Sequence, residues 1–214
     1  MISRANFCRV LEYLEGLIGR RATELYYANP FTFAVAVILS AQMTDKGVNR
    51  AAPGLFAIAD TPEKMVALGL DGIRERIRSI NFYNNKAKSI LALSERLVKD
   101  FKGELPLGRD VLETLPGIGR KSANVIMNEM AGAPTIGVDT HVLRLSQRLG
   151  FAPRETSGPL EVEASLERLT PRDKKPYVSN WLVLFGRYHC KAKRPDCVPC
   201  GLKKLCRYYK SSHE

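Results

Sequence analysis

The 214-residue sequence predicts an all-α protein. Three observations lead to this fold class. Apolar residues recur at helical spacing along nearly the whole chain, helix-capping and helix-stopping residues stand between these segments, and alternating strand patterns with hairpin turns are absent. Hydrophobic residues make up 45% of the chain and charged residues 26%, which is the composition of an ordinary globular protein and not of a disordered one.

Six helices are predicted before residue 102, each with its own start or stop signal. They span about 4–17, 30–42, 45 onwards, 62–69, 71–80 and 84–101. Asn29, Thr44 and Thr61 supply N-caps, and a proline follows two of these caps at the first helical position. Gly69 and Asn81 interrupt the pattern. The helix over 84–101 is amphipathic, with an apolar side formed by Ala87, Ile90, Leu91, Leu97 and Val98.

The second half of the chain begins with a helix–turn–helix pair. Its first helix is predicted over 110–115, its turn over 116–119 and its second helix over 120–130, which Gly132 ends. Asp139 caps another helix that runs through Leu149. Two further helices, over about 160–169 and 177–188, lead into a segment rich in cysteine.

The turn of this pair carries the sequence Leu-Pro-Gly-Ile-Gly-Arg-Lys over 115–121. A Pro-Gly-x-Gly turn exposes backbone N–H groups at the start of the following helix, which is a seat for a phosphate. Lys121 falls in the first turn of that helix. The positive end of the helix and the neighbouring Arg120 both oppose a second charge, which favours the neutral amine that a nucleophile requires. A surface lysine that only binds phosphate is the alternative.

The charge of the chain favours a polyanionic partner. The formal net charge is +11, and the segment from Arg187 to Lys210 holds eight Lys and Arg against one acid, Asp196. Neutralised phosphates release condensed counterions, so a basic chain gains affinity for nucleic acid. Charge alone does not separate DNA from RNA or a membrane surface, and a solvated face that aids solubility is the alternative.

The sequence lacks the features of a secreted or membrane-spanning protein. Its first residues form a charged amphipathic stretch without an apolar core or cleavage site, so we expect no secretory signal and a cytoplasmic location, near the nucleoid if the source is bacterial. The most apolar window, over 31–39, is far shorter than the roughly 20 residues of a membrane-spanning helix.

Four cysteines close together predict a metal centre. Cys190, Cys197, Cys200 and Cys206 are separated by six, two and five residues. Paired disulfides are the alternative, which a cytosolic location disfavours. Zinc sites with four thiolates usually take two Cys-x-x-Cys pairs, whereas this segment has one, so the spacing favours an iron–sulfur cluster over zinc. Cys8 stands apart and is assigned no role.

These motifs together resemble the endonuclease III branch of the helix-hairpin-helix DNA glycosylases. The resemblance covers nearly the whole chain. It includes the hairpin over 115–121, the Val-Asp-Thr-His passage over 138–141, the cysteine segment, and the passages Leu-Ser-Ala-Gln-Met-Thr-Asp over 39–45 and Tyr-Asn-Asn-Lys-Ala over 83–87.

The resemblance implies a bilobal fold with two helical domains. Residues 23–133 would form a six-helix barrel domain that contains the helix-hairpin-helix, at about 109–130. Residues 1–22 and 134–214 would form the second domain, with one [4Fe-4S] cluster held by the four cysteines in the loop 190–206. Double-stranded DNA with damaged bases or abasic sites would be the partner, and the protein would act as a monomer without a membrane.

The resemblance also implies a reaction in base excision repair. Lys121 would attack the sugar C1′ of a flipped, oxidised pyrimidine, expel the base, form a Schiff base and support β-elimination at the abasic site. Asp139 would assist departure of the base, although an aspartate at that point is also a good N-cap.

Further positions would contact the DNA by the same resemblance. Gln42 and Phe82 would enter the duplex, where Phe82 replaces the usual leucine; without the resemblance, Phe82 would be interpreted as a core residue that ends a helix. The backbone and cation of the hairpin and two lysines of the cysteine loop would bind phosphates, which adds Gly117, Ile118, Gly119, Arg120, Lys191 and Lys193. Asp45 and His141 would lie near the base pocket, with a surface acid in a first helical turn as the alternative for Asp45.

Two other functions remain open from the sequence. The adenine-removing branch of the same superfamily shares the cluster and hairpin but generally lacks a lysine at the position of Lys121. A non-catalytic module that uses the hairpin only to hold phosphate would bind DNA without cutting it. An electron carrier with no nucleic-acid role is disfavoured by the basic charge and the hairpin.

Overall fold

The structure, a computed structural model, describes residues 1–20, 23–154 and 156–213. Over this part of the chain it contains helices and no strand, so the all-α prediction is confirmed. The helices are α1 (Arg4–Ile18), α2 (Pro30–Ser40), α3 (Asp45–Phe56), α4 (Pro62–Arg76), α5 (Tyr83–Phe101), α6 (Arg109–Leu112), α7 (Arg120–Ala131), α8 (Thr140–Leu149), α9 (Pro159–Leu169), α10 (Lys175–Tyr188) and α11 (Arg207–His213). In the same part of the chain, no helix is long and apolar enough to cross a membrane.

The chain divides into two compact units. Unit 1 comprises Met1–Thr23 and Gly132–Glu214, and unit 2 comprises Glu24–Ala131. Unit 2 therefore contains α2 to α7, and unit 1 contains α1 and α8 to α11. We expected the divisions after residues 22 and 133; residues 21 and 22 lie outside the described part of the chain.

Helix α2 forms the centre of unit 2. Every residue from Phe31 to Leu39 is buried, because the helix is apolar all round and has no polar face to turn to water. Its start is fixed by a capping box in which Asn29 and Thr32 each accept a backbone hydrogen bond from the other (2.9 Å both). The apolar side of α5 packs into the same core, which also takes in α7 through Ala123 and Ile126.

Several predicted helix boundaries in unit 2 are wrong, and so is the predicted burial of one side chain on α5. Helix α2 ends at Ser40, two residues before the expected end, and the chain turns through Gln42 at a left-handed φ of 52°. The interruption at Gly69 is present as a non-helical residue (φ 70°, ψ 174°) inside α4, which ends at Arg76 and not at residue 80. Val98 is 40% exposed, so its assignment to the apolar side of α5 is wrong.

Unit 1 brings the amino-terminal helix together with the last third of the chain. Phe7 of α1 packs edge-on against Phe151, with ring centroids 4.7 Å apart. The buried Trp181 of α10 donates from Nε1 to the Gly19 carbonyl at the end of α1 (2.7 Å). Helix α11, which follows Cys206, was not among the predicted helices.

Candidate active-site residues and the cysteine cavity

The hairpin turn of unit 2 needs glycine at position 117. Leu115 and Ile118 are buried and anchor the turn, and the Ile118 N–H donates to the Leu115 carbonyl (3.1 Å). Gly117 has φ +79°, and a Cβ there would lie 2.9 Å from the Ser89 Cβ and 3.1 Å from the Ile38 Cδ1. Left-handed backbone and close packing both exclude larger side chains here. The helix before the turn, α6, is shorter than predicted because the chain tightens at once into i→i+3 hydrogen bonds.

Lys121 lies in the first turn of α7, immediately after the hairpin. The helix starts at Arg120, and the Gly119 carbonyl accepts from the Ala123 N–H (2.9 Å). Helix geometry leaves the first N–H groups without an intrahelical acceptor. Gly119 is exposed, and a Cβ there would meet no atom within 4 Å, so this end of the helix is open. Lys121 is half-buried, and no ion-pair partner for it lies among the described residues of unit 2.

Asp139 is the N-cap of α8 in unit 1, as the capping interpretation predicted. Its Oδ1 accepts from the backbone N–H groups of His141 (2.8 Å) and Val142 (2.9 Å). The second oxygen, Oδ2, has no hydrogen-bond partner among the described residues of unit 1. The Ser179 hydroxyl of α10 donates to the Gly137 carbonyl (3.0 Å), which anchors the segment that leads into the cap. Capping therefore uses half of the carboxylate.

His141 and Asp45, the two predicted pocket residues, belong to different units. The His141 ring is half-buried between α8 and α10, with Nδ1 3.2 Å from the Arg144 guanidinium, and a Cβ at Gly186 would lie 3.2 Å from that ring nitrogen. Burial lowers the pKa of His141, so the ring is neutral near pH 7. Asp45 is half-buried as the first residue of α3, after the N-cap Thr44.

Gln42 and Phe82 lie at two adjacent turns of unit 2. Both are exposed, and both have left-handed backbone, with φ of 52° and 57°. Phe82 is 62% exposed, so the interpretation of this residue as a core residue is wrong. The Asn81 side-chain amide donates to the Gln42 carbonyl (2.9 Å) and links the two turns.

Lys86 is a polar residue that the sequence analysis assigned no role. It is 7% exposed, and its Nζ donates to the carbonyls of Leu39 (2.8 Å) and Ala41 (2.6 Å) at the end of α2. A signal for this burial does exist, because Lys86 stands four residues before the buried Ile90 on the apolar side of α5.

The four cysteines line one cavity in unit 1. Cys190, Cys197, Cys200 and Cys206 line this cavity together with apolar side chains that include Leu149, Phe185 and Leu202. Within the described residues, no three His, Cys, Asp or Glu side chains are grouped closely enough to hold a single metal ion.

Burial acts on the thiols of this cavity. It raises the pKa of Cys197, of Cys200 and of Cys206, so free thiols there stay protonated at neutral pH. A positively charged centre in the cavity would reverse this effect and hold the sulfurs as thiolates. The donor set and its environment thus fit a thiolate-bound metal group.

Arg148 of α8 holds the cysteine loop, a role that the sequence analysis missed. Its guanidinium lies 3.3 Å from the Cys190 sulfur and donates to the carbonyls of Lys191 (2.8 Å) and Ala192 (3.0 Å). Its own carbonyl accepts from the Cys206 thiol (3.4 Å). In the sequence Arg148 is one of many surface arginines, so no local pattern marks it.

Lys191 and Lys193, the two predicted phosphate-binding lysines, are exposed on the same loop. The loop backbone is held by Arg148 at residues 191 and 192, next to both lysines. The backbone that carries the two lysines is thereby tied to α8.

Comparison with known proteins finds close similarity along most of the chain. The family described as HhH-GPD superfamily base excision DNA repair protein matches residues 35–172. Endonuclease III of Treponema pallidum (strain Nichols) is 46% identical over 197 residues, 92% of this chain and 92% of the relative. Endonuclease III of Escherichia coli (strain K12) is 43% identical over 207 residues, 97% of each chain. A solved endonuclease III–DNA covalent intermediate, trapped in an estranged-adenine complex, aligns over 100% of both chains with a TM-score of 0.93 and 40% identity.

Proposed function

The chain belongs to the endonuclease III family of the HhH-GPD superfamily, and we propose that it removes oxidised pyrimidines from duplex DNA through a Schiff base on Lys121. As a member of that family it is a base excision repair DNA glycosylase and abasic-site lyase. The observation that carries the proposal is the position of Lys121. Its amine lies in the first turn of α7, directly after a turn of the type that binds phosphate. A relative trapped in covalent linkage to DNA supports a nucleophilic side chain at such a site.

The proposed reaction has two stages, release of the base and cutting of the strand. The neutral amine of Lys121 forms a bond to the sugar C1′ while the bond from C1′ to the base breaks, and the base leaves with the bonding electrons and a proton. The sugar ring then opens to an iminium, the Schiff base, between C1′ and the Lys121 nitrogen. Loss of a proton from C2′ expels the 3′ phosphate by β-elimination, which cuts the strand. Water finally releases the sugar fragment from the lysine.

Asp139 supports this reaction through its second carboxylate oxygen. Oδ1 is held by the two cap hydrogen bonds, which fixes the direction of the whole group. Oδ2 is then available to stabilise positive charge that develops on the sugar, or to accept a proton from the attacking amine. Capping and catalysis are thus compatible in one side chain.

Duplex DNA with damaged bases or abasic sites is the proposed partner. Gln42 and Phe82 fill the space left by the flipped nucleotide, since both are exposed at turns and Phe82 can act as an apolar wedge. The hairpin turn and the start of α7, over 117–120, bind a phosphate through Arg120 and through backbone N–H groups other than that of Ile118, which donates to the Leu115 carbonyl. Exposed Lys191 and Lys193 bind further phosphates. Asp45 and His141 remain proposals for the base pocket. We expect a monomer that acts in the cytoplasm.

A [4Fe-4S] cluster is the proposed occupant of the cysteine cavity. Cys190, Cys197, Cys200 and Cys206 would each bind one iron. One zinc ion would instead draw all four sulfurs to about 2.3 Å of a single point. Four cysteines in one short loop around a shared cavity, with a single Cys-x-x-Cys pair among them, favour the cluster. Its contribution is structural, because it holds the loop that carries the exposed lysines.

Base release and strand cutting on defined duplexes test this function. The substrates are duplexes with an oxidised thymine, with adenine opposite an oxidised guanine, or without damage. We expect release of the oxidised thymine, followed by strand cutting without alkali. Release of adenine without cutting would favour the adenine-removing alternative. Salt-sensitive binding without either reaction would favour a non-catalytic module.

A further inference from the structure

Two side chains, one in the first turns of α5 and one just before that helix, donate hydrogen bonds to the backbone carbonyls where α2 ends. Lys86 donates from Nζ to Leu39 (2.8 Å) and Ala41 (2.6 Å), and Asn81 donates from its amide to Gln42 (2.9 Å). The last carbonyls of a helix have no intrahelical donor, so these bonds satisfy groups that would otherwise need water. Three side-chain hydrogen bonds thus join the end of α2 and the turn after it to residues 81 and 86.

The buried ammonium of Lys86 is an unusual way to make this connection. The side chain is 7% exposed, and no carboxylate partner lies among the described residues of unit 2. Burial lowers the pKa of Lys86, which reflects the cost of keeping the charge there. The negative end of α2 and the two carbonyls are the groups that favour the charge. An apolar side chain would fill the space without this cost.

The two turns that Lys86 connects both contain a strained residue. Gln42 and Phe82 are left-handed, a conformation that is unfavourable for residues other than glycine. Such conformations persist where surrounding contacts over-determine them. Side-chain bonds to Ala41 and Gln42 hold the first turn. The Phe82 turn is continuous with α5, whose first helical bond runs from the Lys86 backbone N–H to the Phe82 carbonyl (3.1 Å), so the side chain that holds the first turn projects from the helix that follows the second.

We propose that Lys86 is a positioning residue that locks the Gln42 turn and the Phe82 turn into one rigid element, so that both side chains enter the duplex together. This inference rests on the proposed function, in which those two residues fill the space of the flipped nucleotide. In the same element, the exposed Asn81 side chain holds the Gln42 turn from the surface, and the buried Lys86 side chain holds it from the interior.

The test compares Lys86→Met with Lys88→Met in the full-length, iron-loaded protein. Lys88 is an exposed lysine on the same helix, so both variants lose one charge, and Lys88→Met should match the wild type. Two single-turnover rates are measured: release of an oxidised thymine, which requires flipping, and cutting at a preformed abasic site, where no base has to be displaced. We expect Lys86→Met to slow base release roughly tenfold or more and to change abasic cutting by less than about twofold.

A double-variant cycle with Gln42→Ala separates positioning from general destabilisation. If Lys86 acts through the turns it holds, Lys86→Met should slow base release by a clearly smaller factor once Gln42 is truncated, because only the effect through Phe82 remains. Additive losses, equal loss of both rates, or wild-type behaviour of Lys86→Met would overturn the inference. If Lys86→Met does not fold, Asn81→Ala is tested instead. Asn81 is exposed, and its truncation should also slow base release more than cutting at an abasic site, but by a smaller factor. A wild-type protein that releases no base would instead contradict the proposed function.

Discussion

Asp139 combines a structural and a chemical part in one carboxylate. Only Oδ1 is used for the cap of α8, through the N–H groups of His141 and Val142. Asparagine caps helices about as well as aspartate, but its amide carries no charge. The two contributions can therefore be separated by one substitution.

For Asp139→Asn we expect nearly unchanged stability and a large loss of activity. The free energy of unfolding should stay within about 0.5 kcal/mol of the wild type because the cap is kept. Base release should fall on the order of a hundredfold because the charge is lost. Asp139→Ala should lose the same activity and about 1 kcal/mol of stability. Chemical denaturation and single-turnover kinetics measure both quantities, and normal base release by Asp139→Asn would reduce this residue to a helix cap.

Residue type and spacing single out some candidate positions and give no signal for others. Lys121 stands next to a recognisable turn, and the four cysteines form a dense pattern. Lys86 and Arg148 act on backbone carbonyls that lie more than 40 residues away in the chain. No local pattern encodes such a contact, so their roles become visible only once the chain is folded.

At the scale of elements, the two glycines of the hairpin differ in how much the stability of the turn depends on them. Gly117 has a left-handed φ of +79° and approaches Ser89 and Ile38 closely. Gly119 has no neighbour within 4 Å of a Cβ position. We expect Gly117→Ala to lower the free energy of unfolding by about 1–3 kcal/mol and Gly119→Ala to change it by less than about 0.5 kcal/mol. Thermal and denaturant unfolding of the two variants provide the comparison, and equal stabilities would contradict this view of the turn.

The cysteine loop should lose its shape when one thiolate is removed. Cys197→Ser should purify without bound iron and without visible absorbance, and it should unfold several kcal/mol more easily because metal ligation contributes directly to folding. Cys8→Ser is the matched control, since Cys8 lies on α1 and does not line the cavity. Iron and zinc are determined per protein chain in each sample. Full iron in Cys197→Ser, or zinc without iron in the wild type, would overturn the cluster.

That a segment is helical was predicted more reliably than the residue at which the helix ends. N-caps such as Asn29 and Asp139 are local signals, and both helices start where predicted. The end of α2 depends on Lys86 and Asn81 from a later segment, so the sequence analysis placed it two residues too far. Helix α11 follows Cys206 without a capping signal in the sequence, and it was missed.

At the scale of the whole molecule, unit 1 is assembled from both ends of the chain. Contacts such as Phe7 with Phe151 and Trp181 with Gly19 join residues more than 140 positions apart. Periodicity identifies each of these helices but not its partner. The expectation that the ends share a domain came from family resemblance.

The net charge of +11 predicts DNA affinity that depends strongly on salt. Log affinity for undamaged duplex should fall linearly with log salt concentration, and each phosphate contact adds about 0.9 to the slope. Replacing Lys191 and Lys193 together by alanine should reduce the slope by about 2, whereas replacing the exposed Lys64 and Lys99 should leave it unchanged. Fluorescence anisotropy titrations at several salt concentrations measure this slope. An unaltered slope in the first pair would remove these lysines from the DNA interface.

Covalent trapping tests the central claim, that Lys121 is the nucleophile, most directly. Wild type, Lys121→Gln and Lys64→Gln are incubated with a duplex carrying an oxidised thymine in the presence of borohydride, which reduces a Schiff base to a stable bond. Lys64 also lies in the first turn of a helix, so Lys64→Gln controls for the loss of one positive charge at such a position. We expect a covalent protein–DNA band from the wild type and Lys64→Gln and none from Lys121→Gln, although all three bind DNA. An undiminished band from Lys121→Gln would contradict the assignment and place the nucleophile on another residue.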